Sequence, residues 1–191
     1  MRVLKPWGVL AVFLALLLAG PCPGRAEDGI LPTRYALGGS LGLTYDPNND
    51  VDFVLLSGAA LLDYERIWPH RAPEPLRFKV EGSAGLTTAP RTRAVVSANI
   101  MALYFLQRWE TPTVRPYAEA GIGLIYTDFQ VDGQGLRVNF NPQAGVGAEL
   151  DLGNAGPWFV AVRAHHVSNG NLYKDNRGIN SVVMQIGFFL R

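Results

Sequence analysis

The sequence predicts an all-β protein, an eight-stranded antiparallel transmembrane β-barrel. Three observations predict it. Successive segments alternate with period two, placing large apolar residues on one face and Gly, Ser and a few charges on the other. Charged residues make up only 17% of the chain, against roughly 25% in an ordinary soluble protein, which leaves little to solvate an outer surface. Turn signals divide the chain into strands of about 10 to 13 residues, the length a tilted strand needs to cross a bilayer.

The first 26 residues read as an export signal. Arg2 and Lys5 form a positive start, Gly8 to Gly20 an apolar stretch, and Gly24 and Ala26 a small-residue cleavage site before Glu27. The apolar stretch is well short of the roughly 20 residues that a membrane-anchoring helix needs. Pro21 precedes Cys22 where a lipoprotein signal carries Gly or Ala, so lipidation is not expected. Removal of residues 1–26 leaves one domain, 27–191, without cysteine, and therefore without disulfides or a thiolate nucleophile.

In the first strand Tyr35, Leu37, Leu41, Leu43 and Tyr45 oppose Ala36, Gly38, Ser40, Gly42 and Thr44. The stretch from Asp52 to Arg66 is apolar on both faces at its centre and has no clean phase. Leu76, Phe78, Val80, Ala84 and Leu86 then oppose Arg77, Lys79, Glu81 and Ser83. Ala94, Val96, Ala98, Ile100, Tyr104 and Leu106 oppose Ser97 and Asn99, and Ala118, Ile122, Leu124 and Tyr126 oppose Glu119, Gly121 and Gly123. Phe140, Ala144, Val146, Ala148 and Leu150 oppose Asn141, Gln143, Glu149 and Asp151. Trp158, Val160, Val162 and Ala164 oppose Arg163 and His165, and Val182, Met184, Ile186, Phe188 and Leu190 oppose Ser181, Gln185 and Gly187. Turns are expected at "DPNND" (Asp46 to Asp50), "WPHRAPEP" (Trp68 to Pro75), "TAPRT" (Thr88 to Thr92), "WETPT" (Trp109 to Thr113) and "GNAGP" (Gly153 to Pro157).

A soluble barrel also has one apolar face, so charge decides which face is inside. Here the polar face is mostly small, which suits the narrow interior of an eight-stranded barrel. Lys79, Glu81, Glu119, Glu149, Asp151 and Arg163 are expected to fill that interior as a paired network, and the aromatic and aliphatic face meets lipid. With an export signal, this implies the bacterial outer membrane. A formal net charge of +1 excludes the basic field that nucleic-acid binding needs. No set of His, Asp and Glu has metal-ligand spacing, and neither a metal nor a dissociable cofactor is expected.

The stretch "AHHVSNGNLYKDNRGINS", Ala164 to Ser181, breaks this pattern. Continuing the even positions of the seventh strand puts His166 and Ser168 on the lipid face, and one step back from Val182 puts Asn180 there too. With both termini periplasmic, the connection between the last two strands lies on the cell exterior. Three hydrogen-bonding groups then meet the outer leaflet, whose lipid A carries ester-linked acyl chains. His166 and Ser168 lie two apart on one face, within mutual reach. Asn180, on the neighbouring strand, is placed to accept from the far nitrogen of His166. Asn169, Gly170 and Asn176 are candidates for an oxyanion hole or for shaping the loop. A His-x-Ser at a strand end is more often an interfacial or loop-capping pair, so it is the outward parity that favours catalysis. His165 is expected in the lumen network, Gly178 in the turn, and His70 in a periplasmic turn without partners.

The segment "HHVSNGNLYKDNRGINS" resembles the C-terminal motif of the lipid A 3-O-deacylase (PagL-type) family, a His-x-Ser-Asn segment followed by an Asn-x-Gly segment and an acidic or amide residue. The resemblance implies an eight-stranded outer-membrane esterase releasing the acyl chain at the 3-position of lipid A, with lipopolysaccharide in the outer leaflet as its partner. It implies Ser168 as nucleophile, His166 as general base and acid, and Asn169, Gly170 and Asn176 as oxyanion-side or loop-ordering positions. The chain departs from the family at Asn180, where the best-known form has Glu. An amide holds the imidazole tautomer without offsetting its charge, so slower turnover, or help from Asp175 in the loop, is expected. The rival readings are a structural or adhesive barrel without activity, and a phospholipase or general esterase on the same scaffold. A homodimer stays open as an assembly.

Overall fold

The structure, a computed structural model, describes residues 31–47, 51–68 and 72–190. The export segment with Cys22, and His70, lie outside the described residues. The strands are β1 (Arg34–Asp46), β2 (Phe53–Asp63), β3 (Leu76–Thr87), β4 (Ala94–Phe105), β5 (Val114–Thr127), β6 (Val138–Phe140), β7 (Gln143–Asp151), β8 (Pro157–Val167) and β9 (Ile179–Phe189). Neighbours in sequence pair antiparallel except β6 and β7, which both pair with β5; β7 pairs with β8 and β1 with β9, so the sheet closes on itself. Closure removes the open edges that a sheet in lipid cannot tolerate.

The nine strands make eight staves, because β6 and β7 are two halves of one. Phe140 faces Leu124 and Gln143 faces Gly121 on β5, so the register runs through the break without a shift. The break falls at Pro142, which has no N–H to give to the ladder.

The outer wall is apolar, as the alternation predicts. Leu37, Leu56, Val96, Ile122, Val146 and Ile186, from six staves, are all exposed, the outward apolar face of a barrel set in lipid. The phase of β2 is now clear: Phe53, Ser57 and Leu61 point inward and Val54 and Leu56 outward. It could not be read from sequence because the lumen is apolar near both ends. Leu61, Leu103, Phe105 and Tyr117 pack in one cluster, and Val95, Ile125, Val167 and Ile179 in another.

Between these layers lies the polar network. Arg163, 2% exposed, donates from Nε to Glu119 (2.7 Å) and from both terminal nitrogens to Glu81 (2.7 and 3.0 Å). Lys79 pairs with Glu119 and lies 3.8 Å from Glu81, so two cations meet two carboxylates. Gln143 and Gln185 accept the remaining Arg163 donors. Two residues expected in this network belong elsewhere. Glu149 pairs with Arg34 (2.9 Å) and Arg115 (3.5 Å), and Asp151 is exposed at the strand end, where its carboxylate accepts from the Gly153 N–H. Both sit too close to the end of β7 to reach the middle of the lumen.

Candidate active site

The site lies where β8 ends, on the outer wall, at the barrel end opposite the three 3-10 turns that follow β2, β4 and β7. Ser168, just beyond β8, is held by two backbone hydrogen bonds with Phe140, donating at 3.0 Å and accepting at 2.8 Å. The His166 N–H donates to the Pro142 carbonyl (3.0 Å), so the stave broken at Pro142 still fixes the backbone of both residues. Their Cα atoms stand two apart on an extended segment, a separation of about 6.5–7 Å with both side chains on one face. His166, Ser168 and Asn180 are each partly exposed, while the odd-numbered neighbours His165, Val167 and Ile179 are buried in the lumen.

His166 Nδ1 lies 2.6 Å from Asn180 Oδ1, directly across the β8–β9 ladder. The other end of the Asn180 amide donates from Nδ2 to Asp46 Oδ2 at 2.7 Å, and Arg177 donates to Asp46 Oδ1 at 2.7 Å. A carboxylate only accepts, so the amide nitrogen must face Asp46 and the amide oxygen must face His166. That oxygen in turn requires the imidazole proton on Nδ1. Nε2 and Ser168 Oγ make no hydrogen bond among the described residues, and both remain available to a substrate.

Asp46 was not foreseen as a site residue. In β1 the even positions face the lumen, and the "DPNND" signal assigns Asp46 to a turn. The register with β9 shifts between Thr44 and Asp46: Thr44 faces Ser181, but Asp46 rather than Tyr45 faces Asn180. This bulge adds one residue to β1 and carries Asp46 to the outer face. No periodic signal encodes it.

The loop 168–178 is ordered by its asparagines. The Asn169 N–H donates to Asn176 Oδ1 (2.7 Å), Asn169 Nδ2 donates to the Asp175 carbonyl (2.8 Å), and Asn176 Nδ2 donates to Asn171 Oδ1 (2.9 Å). The neighbouring loop holds it from outside, the Gly135 N–H donating to the Asp175 carbonyl at 2.7 Å and the Arg177 N–H to the Gly133 carbonyl at 2.8 Å. Gly170 and Asn171 both adopt left-handed backbone, φ 62° and 61°, which turns the chain sharply after Ser168. The Asn169 N–H is thus committed to the loop, whereas the Gly170 N–H makes no hydrogen bond among the described residues. Asp175 is exposed, and among the described residues its carboxylate has no partner.

His165 and Gly178 also differ from expectation. His165 faces the lumen, but it packs against the Phe53 ring (5.9 Å between centroids) with Nδ1 unpartnered, outside the ion network. Gly178 makes room for the imidazole: a Cβ there would stand 2.6 Å from His166 Cε1 and 3.3 Å from Nε2. Gly178→Ala is therefore expected to push the imidazole off its position while the barrel keeps its gel mobility, and a shift of the His166 ring resonances checks the displacement.

Among the described residues no group of three or more His, Cys, Asp or Glu is placed to hold a metal ion. A cavity of about 770 Å³ opens at the loop end beside Arg91, Arg93, Arg137 and Arg177 and does not include His166 or Ser168.

Residues 61–189, more than half of the chain, match the family described as lipid A 3-O-deacylase (PagL). Among solved structures, the outer membrane enzyme PagL matches with 23% identity and a TM-score of 0.57, over 80% of this chain and 98% of that one. Neisserial surface protein A (NspA) matches with 14% identity and a TM-score of 0.57, over 84% of this chain and all of that one. At these identities the structural likeness bears on the fold. No curated protein matches the chain at a significant level.

Proposed function

The chain belongs to the lipid A 3-O-deacylase family, and from that premise we propose that it works as a serine esterase, with Ser168 as nucleophile, His166 as general base and acid, and Asn180 as the group orienting His166. Membership carries the coarser statement: this is a lipid A deacylase of the bacterial outer membrane. The observation supporting the finer one is the chain of polar groups on a wall that is otherwise apolar. A site on that wall meets an acyl ester of a neighbouring lipid without drawing the lipid out of the leaflet.

In the proposed reaction Ser168 Oγ attacks the ester carbonyl while its proton passes to His166 Nε2. The Gly170 N–H, a loop donor without a hydrogen bond among the described residues, stabilises the tetrahedral oxyanion. Collapse expels the sugar oxygen, which takes the proton from Nε2, and leaves the acyl group on Ser168. Water then attacks the acyl-enzyme, again losing its proton to Nε2, and the fatty acid departs as Ser168 recovers its proton. Asn169 and Asn176 hold the loop that presents this donor. No step calls on a metal.

The substrate assignment is tested with purified barrel in mixed micelles. Release of a 3-hydroxy fatty acid from lipopolysaccharide, with phospholipid left intact, is the expected result. Equal cleavage of phospholipid would make the protein a general esterase, and no release from either would leave a barrel without this activity.

A further inference from the structure

We propose that Asp46 is a positioning residue of this site, the carboxylate that orients His166 through the Asn180 amide. The inference rests on the serine-esterase reading above. A His–Asn pair has an intrinsic weakness: an amide turned by 180° presents NH2 to Nδ1 and favours the tautomer protonated on Nε2, which cannot take a proton from Ser168. Asn180 alone has nothing to prevent that turn. Asp46 Oδ2, 2.7 Å from Asn180 Nδ2, prevents it, because the turned amide would set its oxygen against a carboxylate. Arg177, 2.7 Å from Asp46 Oδ1, holds the carboxylate in place, and the register shift between Thr44 and Asp46 puts it on the outer face. The order Arg177, Asp46, Asn180, His166 thus runs from cation to imidazole, with Arg177 and Asn180 both donating to Asp46 and His166 donating to Asn180. Its negative charge is one amide further from the imidazole than in a directly paired triad. Asp46 also lies outside residues 61–189, the stretch that matches the family.

The chemistry of each variant follows from donors and acceptors. In Asp46→Asn the new amide faces two donors, Arg177 and Asn180 Nδ2, with one oxygen to offer, so one hydrogen bond is lost and Asn180 is free to turn. In Asn180→Asp two carboxylates meet. In the double variant Asp46→Asn/Asn180→Asp every bond is restored with carboxylate and amide exchanged: the new carboxylate at 180 accepts from His166 and from the amide at 46, whose oxygen accepts from Arg177.

The experiment measures kcat and KM for acyl release from lipopolysaccharide, and separately the rate at which a fluorophosphonate labels Ser168, for wild type, both single variants and the double variant, with heat-modifiable gel mobility as the check on folding. Asp46→Asn is expected to lower kcat and the labelling rate by about 10- to 100-fold with KM changed less than about threefold, and the double variant to return both to within about fivefold of wild type. A structural role would not predict rescue by a second substitution at the site. Asp46→Asn within twofold of wild type overturns the proposal, as does a double variant no better than the single one. If lipopolysaccharide is not cleaved but labelling follows the expected pattern, Asp46 keeps its role and the substrate reading falls. A wild-type protein that neither cleaves nor labels overturns both.

Discussion

Ser168→Ala is expected to leave a folded barrel that releases acyl chains at least about 10³-fold more slowly than wild type, with KM little altered. The reason is local. Ser168 Oγ makes no hydrogen bond among the described residues, so its loss costs the fold nothing that the backbone bonds to Phe140 do not already supply. In the proposed reaction, however, it is this hydroxyl that carries the acyl intermediate. His166→Ala removes the proposed proton acceptor and should lose a similar factor. Groups that act as one unit are not additive, so the Ser168→Ala/His166→Ala double variant should lose no more than either single one. Additive losses would mean that the two residues act independently.

Arg163→Met is expected to destabilise the barrel by about 3–5 kcal/mol, the cost of breaking a buried ion cluster from one side. Arg163 spans β8 to β3 and β5 across the lumen through Glu81 and Glu119, and without it the two carboxylates have Lys79 as their one nearby cation among the described residues. Urea unfolding in detergent, followed by the loss of heat-modifiable mobility, reads the effect. Adding Glu81→Gln and Glu119→Gln should recover much of the loss, because most of it is the unpaired charge and not the missing bonds. A stability unchanged by Arg163→Met would contradict the account of the lumen. The outer-wall site should stay active in whatever fraction of Arg163→Met folds, since His166 and Ser168 face the opposite side of the wall.

That separation of two faces is why so much of the architecture is legible in the sequence. Where one face is lipid and the other a narrow lumen, a one-residue slip inverts every side chain, so the phase is strongly written. Tyr35, Leu37 and Leu41, or Val182, Met184 and Ile186, read outward at sight. The same parity puts His166, Ser168 and Asn180 on the outer wall without reference to any relative. It fails where the physical contrast fails. Phe53 and Leu61 point into a lumen that is apolar near its ends, so β2 carries no contrast between its faces. Glu149 and Asp151 share the lumen parity of Glu119, but height along the strand, which parity does not record, sends one to Arg34 and the other to the strand end. Asp46 is hidden for a third reason: the bulge changes its parity, and only the register against Asn180 reveals which face it joins. Gly178 reads as a turn residue because nothing in one dimension shows that an imidazole lies above it.

The central claim is that a Ser–His pair on the outer wall of this barrel removes an acyl chain from lipid A. The most direct measurement is mass spectrometry of lipid A from cells expressing the wild-type chain, Ser168→Ala or His166→Ala, each barrel checked by heat-modifiable mobility. The account predicts the loss of one hydroxyacyl mass with the wild-type chain alone. Lipid A of unchanged mass in all three, with folded barrels and accessible substrate, would contradict it, and deacylation that persists in the Ser168→Ala cells would contradict the nucleophile.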